Sequence, residues 1–133
     1  MTETVQGSCH CGTIQYQAQI DFSKGTTRCN CKWCSKLRFW GTLIAPADFE
    51  LLAGKESLNI IESPGGVGKR YYCQQCFNHT HGEGHLAELG GDFCSINIAC
   101  LELSPETLAE LPIHYLDGRH DNWFQAPAVS SYL

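Results

Sequence analysis

Basic residues are scarce in this sequence, and long apolar runs are absent. Its 133 residues contain 9 Lys and Arg against 14 Asp and Glu, which gives a formal net charge of −5 and a pI near 5.6. No nucleic-acid partner is expected, because the basic stripe that phosphate binding requires is missing. No segment approaches the ~20 apolar residues that span a bilayer, so no membrane partner is expected either.

The first residues lack a targeting pattern as well. Residues 1–6 have neither a basic region nor an apolar run, so no secretory signal is expected and the predicted location is cytoplasmic. The length predicts a single domain, 1–133, with a modest core. Chains of this size often gain stability from a bound metal.

Cysteine, in contrast, is abundant, and seven of the nine cysteines fall into three tight groups. These groups are Cys9-His-Cys11, Cys29-Asn-Cys31-Lys-Trp-Cys34 and Cys73-Gln-Gln-Cys76. A Cys-x-Cys or Cys-x-x-Cys turn directs two sulfurs to one point, which suits a tetrahedral Zn²⁺ ion. In a reducing cytosol, cysteines at this spacing ligate metal more often than they form disulfides.

The number of sulfurs predicts two different zinc sites. Two pairs supply the four ligands of a closed structural site, whereas three sulfurs leave one position open, as in catalytic zinc sites. Zinc with an open position binds a thiol and favours its thiolate, which adds to a small aldehyde. Zinc could instead polarise the carbonyl oxygen, but three thiolates weaken its Lewis acidity, so holding a thiol is the favoured role.

Alternating hydrophobicity predicts mainly short strands. Residues 13–20 (TIQYQAQI) and 92–101 (DFCSINIACL) alternate with a period of two, which is typical of half-buried antiparallel strands. Further strands are expected at 39–45, 57–61 and 69–72. A helical turn is predicted at 46–54, and a short helix at Ser104-Pro105. The predicted fold is all-β, with mainly antiparallel short sheets, zinc-binding cysteine groups and one or two short helices.

The ordered set of cysteine groups resembles the glutathione-dependent formaldehyde-activating enzyme family, which has the Mss4-like fold. The resemblance covers residues 7–123 and includes the segments Phe49-Glu-Leu-Leu-Ala-Gly54 and Asp121-Asn-Trp123. It implies a structural zinc held by Cys9, Cys11, Cys73 and Cys76. It also implies a second zinc at the active centre, held by Cys29, Cys31 and Cys34, and the count of three sulfurs against four predicts that this zinc binds more weakly.

The activity that the resemblance implies is that of a carbon–sulfur lyase. Glutathione adds to formaldehyde and gives S-(hydroxymethyl)glutathione, so a small thiol and an aldehyde are the expected partners. A non-catalytic Mss4-like zinc module that binds a protein partner remains the alternative. The two differ in the central cysteine group, since an interaction module needs no zinc with an open position.

Four basic residues flank the central cysteine group and are candidates to bind the carboxylates of an anionic thiol such as glutathione. They are Arg28, Lys32, Lys36 and Arg38. A solvated basic surface is the alternative explanation of this cluster.

Two further features leave alternatives open. The glycine-rich segment after Cys76, with His79, His81 and His85, departs from the family pattern. It is expected as a solvated loop, with a third metal site or a catalytic role as the alternative. Cys94 and Cys100 are expected as small buried apolar residues, and the alternative makes Cys94 a fourth ligand of the second zinc.

Overall fold

The computed structural model describes residues 1–133, and strands account for most of its regular structure. The strands are β1 (Glu3–Ser8), β2 (Gln15–Ile20), β3 (Thr26–Cys29), β4 (Trp40–Ile44), β5 (Phe49–Ala53), β6 (Leu58–Glu62), β7 (Gly68–Cys73), β8 (His79–Leu86), β9 (Gly91–Asn97) and β10 (Ile113–Leu116). The helices are α1 (Lys32–Leu37) and α2 (Pro105–Glu110). The predicted all-β fold with short helices is confirmed.

The strands form two sheets. The smaller sheet has the order β1-β2-β5, and the larger has the order β10-β3-β4-β9-β8-β7-β6. Neighbouring strands are antiparallel, except that β10 runs parallel to β3. No helix is long and apolar enough to cross a membrane.

The alternation of buried and exposed side chains along β2 defines part of the core. Tyr16, Ala18 and Ile20 are buried, while the glutamines between them are exposed or half-buried. Ile96 and Ile98 join the same cluster from β9 and the turn after it. Each large apolar side chain buried in this way contributes roughly 1.5–3 kcal/mol to folding. The alternation in the sequence therefore identified the main core positions.

Two local predictions are wrong. Residues 46–54 contain a 3-10 turn only at Pro46–Asp48, and the chain then continues as β5. The histidine-rich segment, expected as a solvated loop, is β8, which lies between β7 and β9. Its glycines permit close strand pairing, because a Cβ at Gly82 would lie 2.6 Å from the carbonyl oxygen of Lys69.

His81, on β8, lies in the core among aromatic rings. Phe49 and Tyr71 stack on it with centroid distances of 4.6 and 4.8 Å. Its Nδ1 lies 2.8 Å from the hydroxyl of Thr80. Burial lowers the pKa of His81 to about 4. The imidazole is therefore a neutral, hydrogen-bonded part of the core at neutral pH.

The lowered pKa of His81 makes the stability of the fold depend on pH. An imidazole in the unfolded chain has a pKa near 6.5. The contribution of the lowered pKa to the free energy of unfolding is therefore fully present above pH 6.5 and decreases as the pH falls toward 4. At pH 5 the loss amounts to about 2 kcal/mol. We expect His81→Phe, which keeps an aromatic ring and cannot be protonated, to lose less stability than the wild type between pH 7 and pH 5. Denaturant unfolding at both pH values measures the difference. An equal loss in the two proteins would contradict the assignment to His81.

Candidate metal centres

The first group of sulfurs forms where the β1–β2 turn meets the end of β7. Cys9 and Cys11 lie in that turn, Cys73 ends β7, and Cys76 lies in the turn that follows. All four Sγ atoms lie within 4.8 Å of one another. The Cys11 sulfur is 3.6 Å from that of Cys9 and 3.7 Å from that of Cys73. The structure thus brings together the two pairs that the resemblance combined.

These distances fit a metal and exclude disulfides. The two sulfurs of a disulfide lie about 2.05 Å apart. Four sulfurs at about 2.3 Å from a tetrahedral zinc ion lie about 3.75 Å from one another. The backbone amides of Ile14 and Gln75 donate to the sulfurs of Cys9 and Cys73, each at 3.3 Å. Because such bonds stabilise thiolates, this four-cysteine group can hold a metal ion.

The second group of sulfurs lies at the junction of β3 and α1. Cys29 ends β3, Cys31 is the N-cap of α1 and Cys34 lies in its first turn, and the three Sγ atoms lie within 4.8 Å of one another. The amide of Cys31 donates to Cys29 Sγ at 3.4 Å, and the amide of Cys34 donates to Cys31 Sγ at 3.3 Å. No histidine nitrogen or carboxylate oxygen joins them. This three-cysteine group can hold a metal ion with three protein ligands.

The three sulfurs are close enough to share one negative charge. Hydrogen bonds from the thiols of Cys29 and Cys34 lower the pKa of Cys31 well below its usual range. The same contacts raise the pKa of Cys34. A thiolate is therefore favoured within the group, and thiolate is the form in which cysteine ligates a metal.

Cys94 and Cys100 belong to neither group. Both are buried, with 5% and 7% of their surface exposed, and Cys94 lines a cavity beside Phe49 and His81. Burial raises the pKa of Cys94 to about 12 and that of Cys100 to about 11. The predicted buried positions are confirmed, and the alternative of Cys94 as a fourth ligand is wrong.

A loop near the C-terminus packs against the three-cysteine group. Buried Asn30 fixes this loop, because its amide nitrogen donates to Asp117 Oδ1 and its amide oxygen accepts from the backbone of Arg119, each at 2.8 Å. Between them, Gly118 has no space for a side chain, since a Cβ would lie 2.6 Å from Cys29 Sγ. Residues 117–119 thus form one wall of the group. The only sign of this role in the sequence is that Asn30 separates two cysteines.

Arg70, on β7, is the basic residue that contacts the three-cysteine group. Its Nη2 donates to Cys34 Sγ at 3.7 Å, and its guanidinium carbon lies 4.1 Å from the ring centre of Phe39. The other terminal nitrogen, Nη1, is buried and has no hydrogen-bond partner. Sequence reasoning missed this residue, because an arginine next to a lysine in a short strand gives no sign that it contacts a cysteine.

His79 also packs against Phe39. Its ring packs against Phe39 with a centroid distance of 5.3 Å, and its Nε2 is buried without a partner. Burial, together with the nearby charge of Arg70, lowers the pKa of His79 to about 4. The imidazole beside Arg70 is therefore neutral at neutral pH.

Of the four basic residues predicted to bind thiol carboxylates, three are exposed and one is half-buried, as Arg70 is. Lys32, Lys36 and Arg38 are exposed, and Arg38 donates to the carbonyl oxygen of Tyr132 at 2.8 Å. Arg28 is half-buried and stacks over Trp40 at 4.9 Å. None of the four hydrogen-bonds to a cysteine sulfur, and their role stays a prediction.

Comparison with known proteins gives the chain a family. The family described as glutathione-dependent formaldehyde-activating enzyme matches residues 4–115, a span that contains both cysteine groups. The chain belongs to this family. The predicted resemblance is therefore confirmed.

Two individual matches have low sequence identity to this family member. A curated Halomonas elongata protein, provisionally named a glutathione-dependent formaldehyde-activating enzyme, is 29% identical over 80 residues, which are 54% of this chain and 51% of that protein. The chain thus spans about half the length of this curated relative. A crystal structure of a Rhodobacter sphaeroides protein matches with a TM-score of 0.67 and 23% identity, over 82% of this chain and 99% of that one. This second likeness shows the fold alone.

Proposed function

We propose that this chain is a zinc-dependent carbon–sulfur lyase that adds a small thiol of the glutathione type to formaldehyde or a related aldehyde. The observation that carries the proposal is a cluster of three sulfurs without a fourth protein ligand. A tetrahedral zinc ion held by three cysteines has one position left for an exchangeable ligand. The name of the matched family supports the choice of thiol and aldehyde.

The four-cysteine group has a different role in this proposal. Its complete ligand set leaves no position for a substrate, so it holds a structural zinc. Residues 1–133 then act as one domain with two zinc ions. One ion would stabilise the fold, and the other would take part in the reaction. We assign the activity to the cytoplasm, where the thiols of substrate and ligands stay reduced.

The residues of the three-cysteine group orient the thiol. When bound, zinc lowers the pKa of a thiol in its open position, so that the nucleophilic thiolate is present at neutral pH. The amides of Cys31 and Cys34 fix two of the sulfurs by hydrogen bonds. The wall at Gly118 closes one side of the group, so the thiol and the aldehyde approach from the other side.

The proposal is tested by comparing reduced glutathione with S-methylglutathione on the zinc-loaded protein. Methylation prevents formation of the thiolate, so we expect the reduced form to bind at least about tenfold more tightly in titration calorimetry. NMR exchange should also show faster formation of the hydroxymethyl adduct than in protein-free buffer. Cys100→Ala, altered outside both groups, is the control and should behave like the wild type. Equal binding of both forms, or of neither, would favour the non-catalytic interaction module.

A further inference from the structure

We infer that Arg70 is the oxyanion-binding residue of the three-cysteine group. Its Nη1 would donate to the oxygen that becomes negatively charged when a thiolate adds to an aldehyde. The inference rests on the proposed function and adds a catalytic residue to it. It is carried by the contact of Arg70 with Cys34 and by the unused donor on the same guanidinium.

Arg70 has a donor available at the edge of the sulfur group. Nη2 lies 3.7 Å from Cys34 Sγ, and Nη1 belongs to the same planar group, so it cannot lie far from the sulfurs. Nη1 is buried and has no partner. An unpaired buried donor on a charged group is unfavourable, and an oxygen on a ligand of the group would satisfy it.

The position of Arg70 favours an oxygen close to the reacting sulfur. In a hydroxymethyl adduct the oxygen is bonded to the carbon that carries the sulfur, only two bonds away from it. The carboxylates of glutathione lie many bonds farther from its sulfur. Exposed Lys32 and Lys36 suit those distant charges, whereas half-buried Arg70, with its buried Nη1, suits the reacting oxygen.

The surroundings of Arg70 hold its charge in place and leave it available. The guanidinium packs on Phe39, and the neighbouring His79 is neutral. No carboxylate forms an ion pair with Arg70. A fixed, sheltered charge of this kind stabilises a negative charge that develops in the transition state, because little reorganisation is needed.

In the addition step, water carries the proton from the thiol to the oxygen of the product. The thiol first releases its proton to water. The electron pair of the thiolate then forms the carbon–sulfur bond, while the π pair of the carbonyl moves to the oxygen. This oxygen accepts a hydrogen bond from the N–H of Arg70 and then takes up the proton that water received from the thiol. Thiol and aldehyde thus give a neutral hydroxymethyl adduct, and Arg70 stays protonated throughout.

Two small thiols separate this role from thiol binding in general. Thioglycolate and 2-mercaptoethanol are similar in size, but only thioglycolate carries an anionic oxygen near its sulfur. We expect zinc-loaded wild type to bind thioglycolate about 10- to 100-fold more tightly, because a sheltered charge-assisted hydrogen bond forms. Arg70→Gln should lose this preference and bind 2-mercaptoethanol as before. Arg70→Lys should keep part of it, since the charge remains and the planar fork is lost.

Turnover provides a second readout. With glutathione and formaldehyde, Arg70→Gln should reduce kcat by about 10²- to 10³-fold with little change in affinity for glutathione. Lys69→Gln is the matched control on β7, because Lys69 pairs with Glu83 at the surface at 3.5 Å. It should turn over like the wild type.

The outcomes distinguish the two proposals. A wild type that does not accelerate adduct formation would overturn the proposed function, and the role of Arg70 with it. Equal turnover by wild type and Arg70→Gln would overturn the role of Arg70 alone. A thioglycolate preference that persists in Arg70→Gln would do the same. Should Arg70→Gln fail to fold, equal binding of the two small thiols by the wild type would still overturn the inference.

Discussion

Replacing Cys73 by serine should unfold this protein at room temperature. Cys73 is completely buried at the end of β7, and its sulfur meets that of Cys11, 62 residues earlier in the chain. Structural zinc supplies roughly 10–16 kcal/mol in small zinc domains, which is comparable to the whole stability of about 5–15 kcal/mol of a typical domain. Because a serine hydroxyl is a much weaker zinc ligand than a thiolate, most of this contribution is lost.

Thermal unfolding followed by circular dichroism, together with zinc analysis, measures this effect. The wild type should show a cooperative transition and two zinc ions per chain, whereas Cys73→Ser should lack both the transition and the structural zinc. Cys100→Ala, which removes a buried thiol outside both groups, should keep both zinc ions and a cooperative transition. A Cys73→Ser protein that unfolds cooperatively and binds the full zinc content would show that the four-cysteine group is not structural.

The features that could be predicted from the sequence depend on short-range geometry. A Cys-x-Cys or Cys-x-x-Cys turn places two sulfurs together whatever the rest of the fold does. The alternation around Tyr16 likewise determines which face of β2 is buried, because successive side chains of a strand point to opposite sides. The preference of Ser104 and Pro105 for a helix start is also local, and α2 begins there.

The features that were missed depend on contacts between distant segments. The guanidinium of Arg70 is sheltered only because Phe39, next to β4, and His79, from β8, pack in the same region. The prediction of a solvated loop where the structure has β8 failed for a related reason. Glycine favours turns in an isolated segment, but here Gly82 fits a narrow space between β7 and β9, where its missing side chain is an advantage.

One strand connects the two cysteine groups. β7 carries Arg70, which contacts the three-cysteine group, and ends at Cys73, a member of the four-cysteine group. If the four-cysteine group holds the proposed structural zinc, loss of this ion would therefore also displace Arg70. Lost activity in Cys73→Ser says nothing about chemistry, so the catalytic role of a residue has to be tested by a substitution at the three-cysteine group itself.

Cys31→Ser provides that test and should abolish thiol addition while the fold remains intact. Cys31 is the N-cap of α1, and its sulfur accepts a hydrogen bond from the backbone amide of Cys34 at 3.3 Å. Serine is a favoured N-cap residue and can accept the same hydrogen bond, so the cost to α1 is small. The group, however, loses one of its three sulfurs, so only two cysteine ligands would remain for a metal ion.

We expect Cys31→Ser to bind one zinc ion per chain and to unfold cooperatively near the temperature of the wild type. Its rate of adduct formation should fall to that of protein-free buffer, and reduced glutathione should lose its advantage over the S-methylated form. Cys73→Ser is the matched comparison, since both variants replace one sulfur by one oxygen. If Cys31→Ser proves more damaging to the fold than Cys73→Ser, the structural and catalytic assignments of the two groups are reversed. The comparison is decisive because the same chemical change predicts unfolding at one group and inactivity at the other.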